Sequence, residues 1–124
     1  MSELRGDKEI SEARPRSFKL KVQNTPVIRV CFPELTWKCQ EQGYPDFARI
    51  TIRYVPKIRF LELRSLKLWF NSFRDRYIGY EKLADEIFET LWQELDPQSL
   101  YVRIDINPRG NMKTDLILSK RQSS

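Results

Sequence analysis

Apolar and polar residues alternate with a period of two in four segments of the chain. Two lie early, at residues 27–32 and 47–54, and two lie late, at residues 100–106 and 112–118. Alternation of this kind, rich in β-branched residues, is typical of strands that bury one face. Pro33 is predicted to end the first strand, because proline cannot donate a hydrogen bond to a sheet ladder.

The segment that joins the first two predicted strands is expected to be a loop. It covers residues 33–46 and contains Gly43 and Pro45. Glycine and proline punctuate regular structure and favour turns. Any reactive side chain here would therefore lie on a connection held by two strands.

Between the two strand pairs the apolar spacing lengthens to three and four residues, which predicts two helices. One face of the first helix, beginning at Glu62, carries Leu63, Leu66, Trp69, Phe70 and Phe73. The second helix runs from about Gly79 to Leu95 and ends at Asp96-Pro97. The aromatic residues of both helices are expected in the core: Trp69, Phe73, Phe88 and Trp92. The order strand, strand, helix, helix, strand, strand predicts an α+β fold, with a four-stranded antiparallel sheet and both helices on one face.

With 124 residues, the chain is expected to form one domain. We assign residues 17–119 to that domain, residues 1–16 to a flexible N-terminal arm and residues 120–124 to a flexible tail. So small a sheet has two open edges and one bare face. Pairing with further copies of the chain would close those edges, so an oligomer is expected.

The composition is that of an ordinary globular protein, with 40% hydrophobic and 31% charged residues. No apolar run is long enough for a membrane helix, and the charged N-terminus lacks the apolar stretch of a secretory signal. A cytoplasmic location without a membrane partner is therefore expected. The net charge of +5 is modest and spread along the chain, so it permits phosphate contacts without requiring a nucleic acid.

The chain has two cysteines, Cys31 and Cys39, and no histidine. This excludes a cysteine–histidine pair and a histidine-ligated zinc, so no metal site is expected. Cys31 lies within a predicted strand, where a cysteine usually behaves as a small buried hydrophobe. Any activation of a thiol must come from a carboxylate, a cation, backbone dipoles or the substrate.

Cys39 and Asp46 stand seven residues apart around the predicted loop. A thiolate adds to electrophilic carbon, and a nearby carboxylic acid can supply the proton that the adduct needs. The spacing alone is weak, since Asp46 is equally typical of a turn.

Four motifs occur in order over about residues 25–118. They are Pro33-Glu34-Leu35-Thr36 with Cys39, Gly43 and Pro45-Asp46-Phe47; the run from Glu62 to Trp69; the run from Asn71 to Ile78; and Pro108-Arg109-Gly110-Asn111. Together they resemble the single-module QueF family of nitrile reductases. The resemblance implies the tunnelling fold, in which subunit sheets join into a barrel and active sites lie between neighbouring subunits. It also implies NADPH-dependent reduction of 7-cyano-7-deazaguanine to the 7-aminomethyl product, on the route to queuosine in tRNA.

The resemblance also implies a role for individual residues. Cys39 would be the nucleophile and Asp46 the general acid/base. Substrate-binding positions would be Glu81, which holds the deazapurine ring, with Glu62, Tyr80 and Ser65. Cofactor-binding positions would be Arg64, Lys67 and Arg109. The chain departs from the family at Tyr80, where a histidine is usual, and at Arg64, where a lysine is usual.

Two other functions compete with this one. The first is a QueF-like amidinotransferase that adds ammonia to the nitrile on tRNA, as in archaeosine synthesis, and only this one requires direct tRNA binding. The run from Glu62 to Trp69 favours the reductase, because an enzyme without NADPH has no evident need for it. The second is a non-catalytic module that binds a deazapurine or RNA.

Overall fold

The computed structural model describes residues 4–123 of the chain. Its three helices are α1 (Arg5–Ser11), α2 (Leu63–Asn71) and α3 (Tyr80–Leu95). Its six strands are β1 (Ser17–Lys19), β2 (Ile28–Lys38), β3 (Pro45–Val55), β4 (Arg59–Leu61), β5 (Ser99–Arg109) and β6 (Met112–Arg121).

The main sheet has four antiparallel strands, as predicted, and their order is β2-β3-β5-β6. A second, two-stranded sheet pairs β1 with β4. These two strands were not predicted, because three residues are too few to display a period of two. The hydroxyl of Tyr54 on β3 joins the two sheets by accepting a hydrogen bond from the Leu61 amide of β4, at 3.0 Å.

The helices α2 and α3 cover one face of the main sheet, and the core lies between them. The prediction for the aromatic residues is confirmed: Trp69, Phe73 and Phe88 are buried, and Trp92 packs half-buried against the core. The prediction for Leu63 is wrong, since 60% of this residue is exposed. It is the first residue of α2 and points away from the core-facing stripe.

Strand β2 does not end at Pro33, as was predicted, but continues to Lys38. Phe32 pairs with Ile50 and Leu35 pairs with Ala48, so residues 33 and 34 both lie opposite residue 49. This is a β-bulge, which accommodates one extra residue on β2. Because of it, core-facing positions change from even to odd numbers, and Leu35 is fully buried. The predicted loop shrinks to residues 39–44.

Strand β5 contains a second bulge of the same kind. Ile106 pairs with Thr114 and Arg109 pairs with Met112, so residues 107 and 108 lie opposite residue 113. Arg109 therefore projects from the same face as Ile106, although their numbers differ by three. Both bulges contain a proline, Pro33 or Pro108, a residue that sheets tolerate at such irregularities.

The two ends of the chain also differ from the predicted boundaries. Within the segment expected to be a flexible arm, residues 5–11 form α1, which packs against α2. At the other end, β6 reaches Arg121, two residues into the predicted tail. Residues 1–3 and 124 lie outside the described part of the chain. Over residues 4–123, none of the helices has the length and apolarity that crossing a membrane requires.

Candidate active site

A cavity of about 380 Å³ opens where the β2–β3 turn, the start of α3 and the β5–β6 hairpin meet. Its volume is in the range of small-molecule sites. Its lining includes four of the residues predicted to act on substrate: Cys39, Asp46, Tyr80 and Glu81. Arg109, predicted to bind the cofactor, lines the same cavity.

Cys39 begins the tight turn between β2 and β3. Its amide donates to the Tyr44 carbonyl oxygen at 2.8 Å, and its carbonyl accepts from the Gly43 amide at 2.9 Å. Gly43 has a φ of 76°, a conformation that glycine adopts without strain. The turn thus fixes the backbone of Cys39 and leaves its side chain half-buried at the cavity wall.

The surroundings of Cys39 favour its thiolate form. Hydrogen bonds from the backbone amides of Gln42 and then Glu41 lower the pKa of the thiol, and the Arg109 guanidinium lowers it further. Partial desolvation opposes these effects. A thiolate is the nucleophilic form of cysteine, so the site is suited to attack on an electrophilic carbon.

Asp46 lies near the start of β3 and is 8% exposed. Arg109 donates to it, with 2.7 Å between Nη1 and Oδ1. The carboxylate of Asp46, and then the sulfur of Cys39, raise the pKa of Arg109. Sulfur, carboxylate and guanidinium thus form one interacting group, drawn from three separate elements.

Glu81 and Tyr80 occupy the first turn of α3. Gly79, the residue before this turn, allows close approach: a Cβ there would lie 3.3 Å from Gln40 Oε1 and 3.4 Å from Glu81 Oε2. The Glu81 carboxylate therefore lies over Gly79 at the cavity wall. A carboxylate in this place can accept two N–H groups from the edge of a flat heterocycle.

Four predicted site residues do not reach this cavity within one chain. Glu62, Arg64 and Ser65 line a separate cavity of about 340 Å³ beside α1, and Lys67 is exposed on α2. Glu62 caps α2 by accepting hydrogen bonds from the amides of Arg64 and Ser65. Arg64 forms an ion pair of 3.7 Å with Glu9 of α1.

The structure also corrects the expectation for Cys31. This residue is exposed on the open face of the sheet, not buried, and its sulfur accepts a hydrogen bond from the Thr51 hydroxyl at 3.8 Å. Facing away from the helices, it takes no part in the cavity that Cys39 lines.

Several lining residues were not singled out from the sequence. Their common feature is that each lies within three residues of Cys39, Tyr80 or Arg109: Gln40, Glu41, Ile78, Gly79, Asn107 and Met112. The lining also includes the buried apolar side chains of Trp37 and Ile106. Proximity in sequence to Cys39, Tyr80 and Arg109 was the available signal. Over residues 4–123 no group of three or more acidic or cysteine side chains is arranged to hold a metal ion.

Comparison with known proteins connects this geometry with a family. The sequence model described as QueF-like protein matches residues 45–124. A 7-cyano-7-deazaguanine reductase of Wolinella succinogenes, NADPH-dependent by name, is 35% identical over 95% of this chain and 98% of its own length. A protein of the same name from Aquifex aeolicus is 50% identical over 71% of this chain and 68% of its own length. Another, from Trichormus variabilis, is 42% identical over 94% of this chain and 87% of its own length.

The fold has a counterpart among solved structures. The apo form of an archaeosine synthase described as QueF-Like superposes with a TM-score of 0.73, at 18% identity, over 82% of this chain and 100% of that one. This confirms the predicted α+β tunnelling fold of the single chain. Together with the sequence matches over most of the chain, it shows that the protein belongs to the QueF family.

Proposed function

We propose that this protein reduces the nitrile of 7-cyano-7-deazaguanine to the aminomethyl group, using NADPH in the cytoplasm. One observation carries the proposal: Cys39, Asp46 and Glu81 line a single cavity of about 380 Å³. They supply a nucleophile, an acid and a ring-binding carboxylate. Relatives that bear the name of this reductase match the chain over most of its length.

The first chemical step is addition of Cys39 to the nitrile. The sulfur forms a bond to the nitrile carbon while one π bond of the C≡N group breaks. The proton of the thiol passes through Asp46 to the nitrile nitrogen, which gives a thioimide without any added reactant. The burial of Asp46 supports this role, because it keeps bulk water from the proton path.

Glu81 holds the substrate in the orientation that this attack needs. The guanine-like edge of a deazapurine presents adjacent N–H donors, and a carboxylate accepts both. Glu81 is fixed by its place in the first turn of α3, and it lines the same cavity as Cys39, so a ring held by Glu81 is bound in the cavity where the thiol lies.

NADPH supplies hydride when it is bound, and two molecules are consumed per nitrile because the reduction takes four electrons. Arg64 and Lys67 are exposed cations one turn apart on α2, which suits them to the phosphates of this cofactor. The charges of Arg64 and Lys67 therefore fit the phosphate groups of NADPH.

In the oligomer that this family membership suggests, the site is composite. Within one chain, Arg64 and Lys67 do not share a cavity with Cys39. We place the α2 cations of one chain, with Glu62 and Ser65, beside the Cys39 cavity of a neighbouring copy. The bare sheet face and open edges give such a neighbour a surface on which to assemble.

The decisive test of the function is covalent capture of the substrate. Mixing the protein with 7-cyano-7-deazaguanine should add the mass of one substrate molecule, as seen by intact mass spectrometry. The adduct should be absent in Cys39→Ala and present in Cys31→Ala, the matched control for loss of a thiol. Absence of the adduct from the folded wild-type protein would refute the proposal. NADPH oxidation by free nitrile identifies a reductase, whereas ammonia-dependent modification of tRNA would identify a transferase.

The composite site has its own test, by mixing subunits. We expect Cys39→Ala and Arg64→Glu each to abolish or sharply reduce turnover when alone. If the two residues act from different chains, co-expressed mixtures of these variants regain activity, because some sites receive both native residues. Mixtures no more active than the sum of the separate variants would show that each chain builds its site alone.

A further inference from the structure

The placement of Arg109 is determined by the β5–β6 hairpin. Its two-residue turn, Gly110 and Asn111, has positive φ at both positions, 56° and 67°. The bulge at residues 107–108 then sets Arg109 on the helix-facing side of the sheet. Without that extra residue, the side chain at 109 would project from the open face. The hairpin therefore carries a cation to the side where Asp46 and Cys39 lie.

Arg109 is paired there before any substrate or cofactor arrives. Its Nη1 donates to Asp46 Oδ1 at 2.7 Å, and it lines the same cavity as Cys39, where it adds to the lowering of the thiol pKa by the backbone amides of Gln42 and Glu41. About half of the Arg109 side chain is exposed, whereas that of Asp46 is 9% exposed. The planar fork of arginine can satisfy two acceptors at once, which a lysine cannot do with the same geometry.

The addition step requires a positive charge beside Cys39 and Asp46. Cys39 and Asp46 exchange one proton during the reaction, so one negative charge moves between sulfur and carboxylate. The charged or titratable side chains that line the cavity are Glu41, Asp46, Tyr80, Glu81, Arg109 and Cys39 itself. Among these lining groups the positive charge comes from Arg109.

We propose that Arg109 is a positioning residue that holds Cys39 and Asp46 together and balances their shared negative charge while the proton passes between them. The inference rests on the proposed function and extends it, because family resemblance assigned Arg109 to the cofactor alone. The backbone amides of Gln42 and Glu41 provide the larger part of the thiolate stabilisation, and Arg109 adds to it. Removing Arg109 therefore weakens the activation of Cys39 without abolishing it.

The test is the pH dependence of Cys39 alkylation by iodoacetamide, in a Cys31→Ala background so that one thiol reports. In Arg109→Gln, the midpoint should move up by about half a pH unit, which is roughly a threefold smaller thiolate fraction at pH 7. Arg109→Lys should restore part of the shift. Asp46→Asn should move the midpoint down, since the guanidinium is then left to the sulfur. Midpoint shifts of opposite sign in Arg109→Gln and Asp46→Asn distinguish this role from general damage to the fold.

The matched control is Arg103→Gln, which removes an arginine that pairs with Asp115 on the other face of the sheet. It should leave the alkylation profile unchanged. An Arg109→Gln profile that coincides with the parent, with only the KM for NADPH raised, would overturn the inference and leave Arg109 a cofactor ligand. That result would leave the proposed function standing. The proposed function is refuted by a different result, the absence of a nitrile adduct in the wild type.

Discussion

Glu62 and Ser65 form a reciprocal cap at the start of α2. The Ser65 amide donates to Glu62 Oε2 at 2.7 Å, and the Ser65 hydroxyl donates to the Glu62 carbonyl oxygen at 2.8 Å. That hydroxyl also accepts from the Arg16 amide at 2.9 Å, which attaches the N-terminal segment to α2. Within one chain, both side chains thus serve the helix start.

We expect Glu62→Ala to lower Tm by a few degrees, because the amides of Arg64 and Ser65 lose their acceptor. Glu62→Gln should lower it less, since its amide oxygen still accepts one of these bonds. Thermal unfolding followed by circular dichroism measures both. Equal Tm values for the wild type and both variants would show that the cap contributes nothing to stability.

The acid stability of the protein should depend on Asp115. Lys113, at 2.5 Å, and then Arg103, at 2.8 Å, lower its pKa to about 2. An aspartate in an unfolded chain has a pKa of about 3.9. The stabilisation is therefore complete above about pH 4 and is lost as the pH falls through about 2.

Asp115→Asn should remove this pH dependence and flatten the stability curve between pH 4 and 2. Urea unfolding at a series of pH values measures the effect. Asp85→Asn, at an exposed aspartate of α3, is the control for loss of one carboxylate. A curve for Asp115→Asn that is parallel to that of the wild type would contradict the prediction.

Gly79→Ala should weaken substrate binding while leaving the fold intact. Gly79 has a φ of −73°, which alanine adopts freely, but the added Cβ would lie 3.3 Å from Gln40 Oε1 and in contact with Glu81. The Gln40 amide must then shift by a few tenths of an ångström, which changes the wall of the cavity beside Glu81. We expect KM for the nitrile to rise several-fold with little change in Tm, as steady-state kinetics and thermal unfolding would show. Gly6→Ala, where a Cβ meets nothing within 4 Å, is the matched control.

Tyr54→Phe should destabilise the fold by about 1–3 kcal/mol, because the buried amide of Leu61 loses its acceptor. The ring itself remains in the core, so packing is preserved. Urea unfolding at neutral pH gives the value directly. Tyr77→Phe, at an exposed tyrosine, should leave the free energy of unfolding nearly unchanged. Equal losses in the two variants would exclude a specific role for the Tyr54 hydroxyl.

The sequence predicted the elements that are long and amphipathic, and it missed those that are short. The helices α2 and α3 and the four main strands each show several repeats of their period. The three-residue strands β1 and β4 and the seven-residue helix α1 show none. Pro33 misled the prediction for β2, since proline ends a regular strand but also occupies a bulge. The shift of apolar positions from Phe32 to Leu35 was the signal that the strand continued.

The site was predicted in part. Cys39, Asp46 and Glu81 were named through family resemblance, and the structure brings them to one cavity. The pairing of Arg109 with Asp46 joins residues 63 positions apart, and no local pattern could show it. Its position depends on a bulge and a two-residue turn, which act together only in the folded sheet.

Because β2 is extended, it limits which disulfides the two cysteines of this protein can form. Cys31 pairs with Thr51 and Lys38 pairs with Pro45, so β2 from Cys31 to its end runs along six residue steps of β3, which is about 20 Å. A disulfide requires Cα atoms within about 7 Å of each other, so the two sulfurs of one chain cannot be joined while β2 is intact. Disulfide-linked species in an oxidised sample must then join different chains. Damage to Cys39 itself would instead proceed as stepwise addition of oxygen to the sulfur.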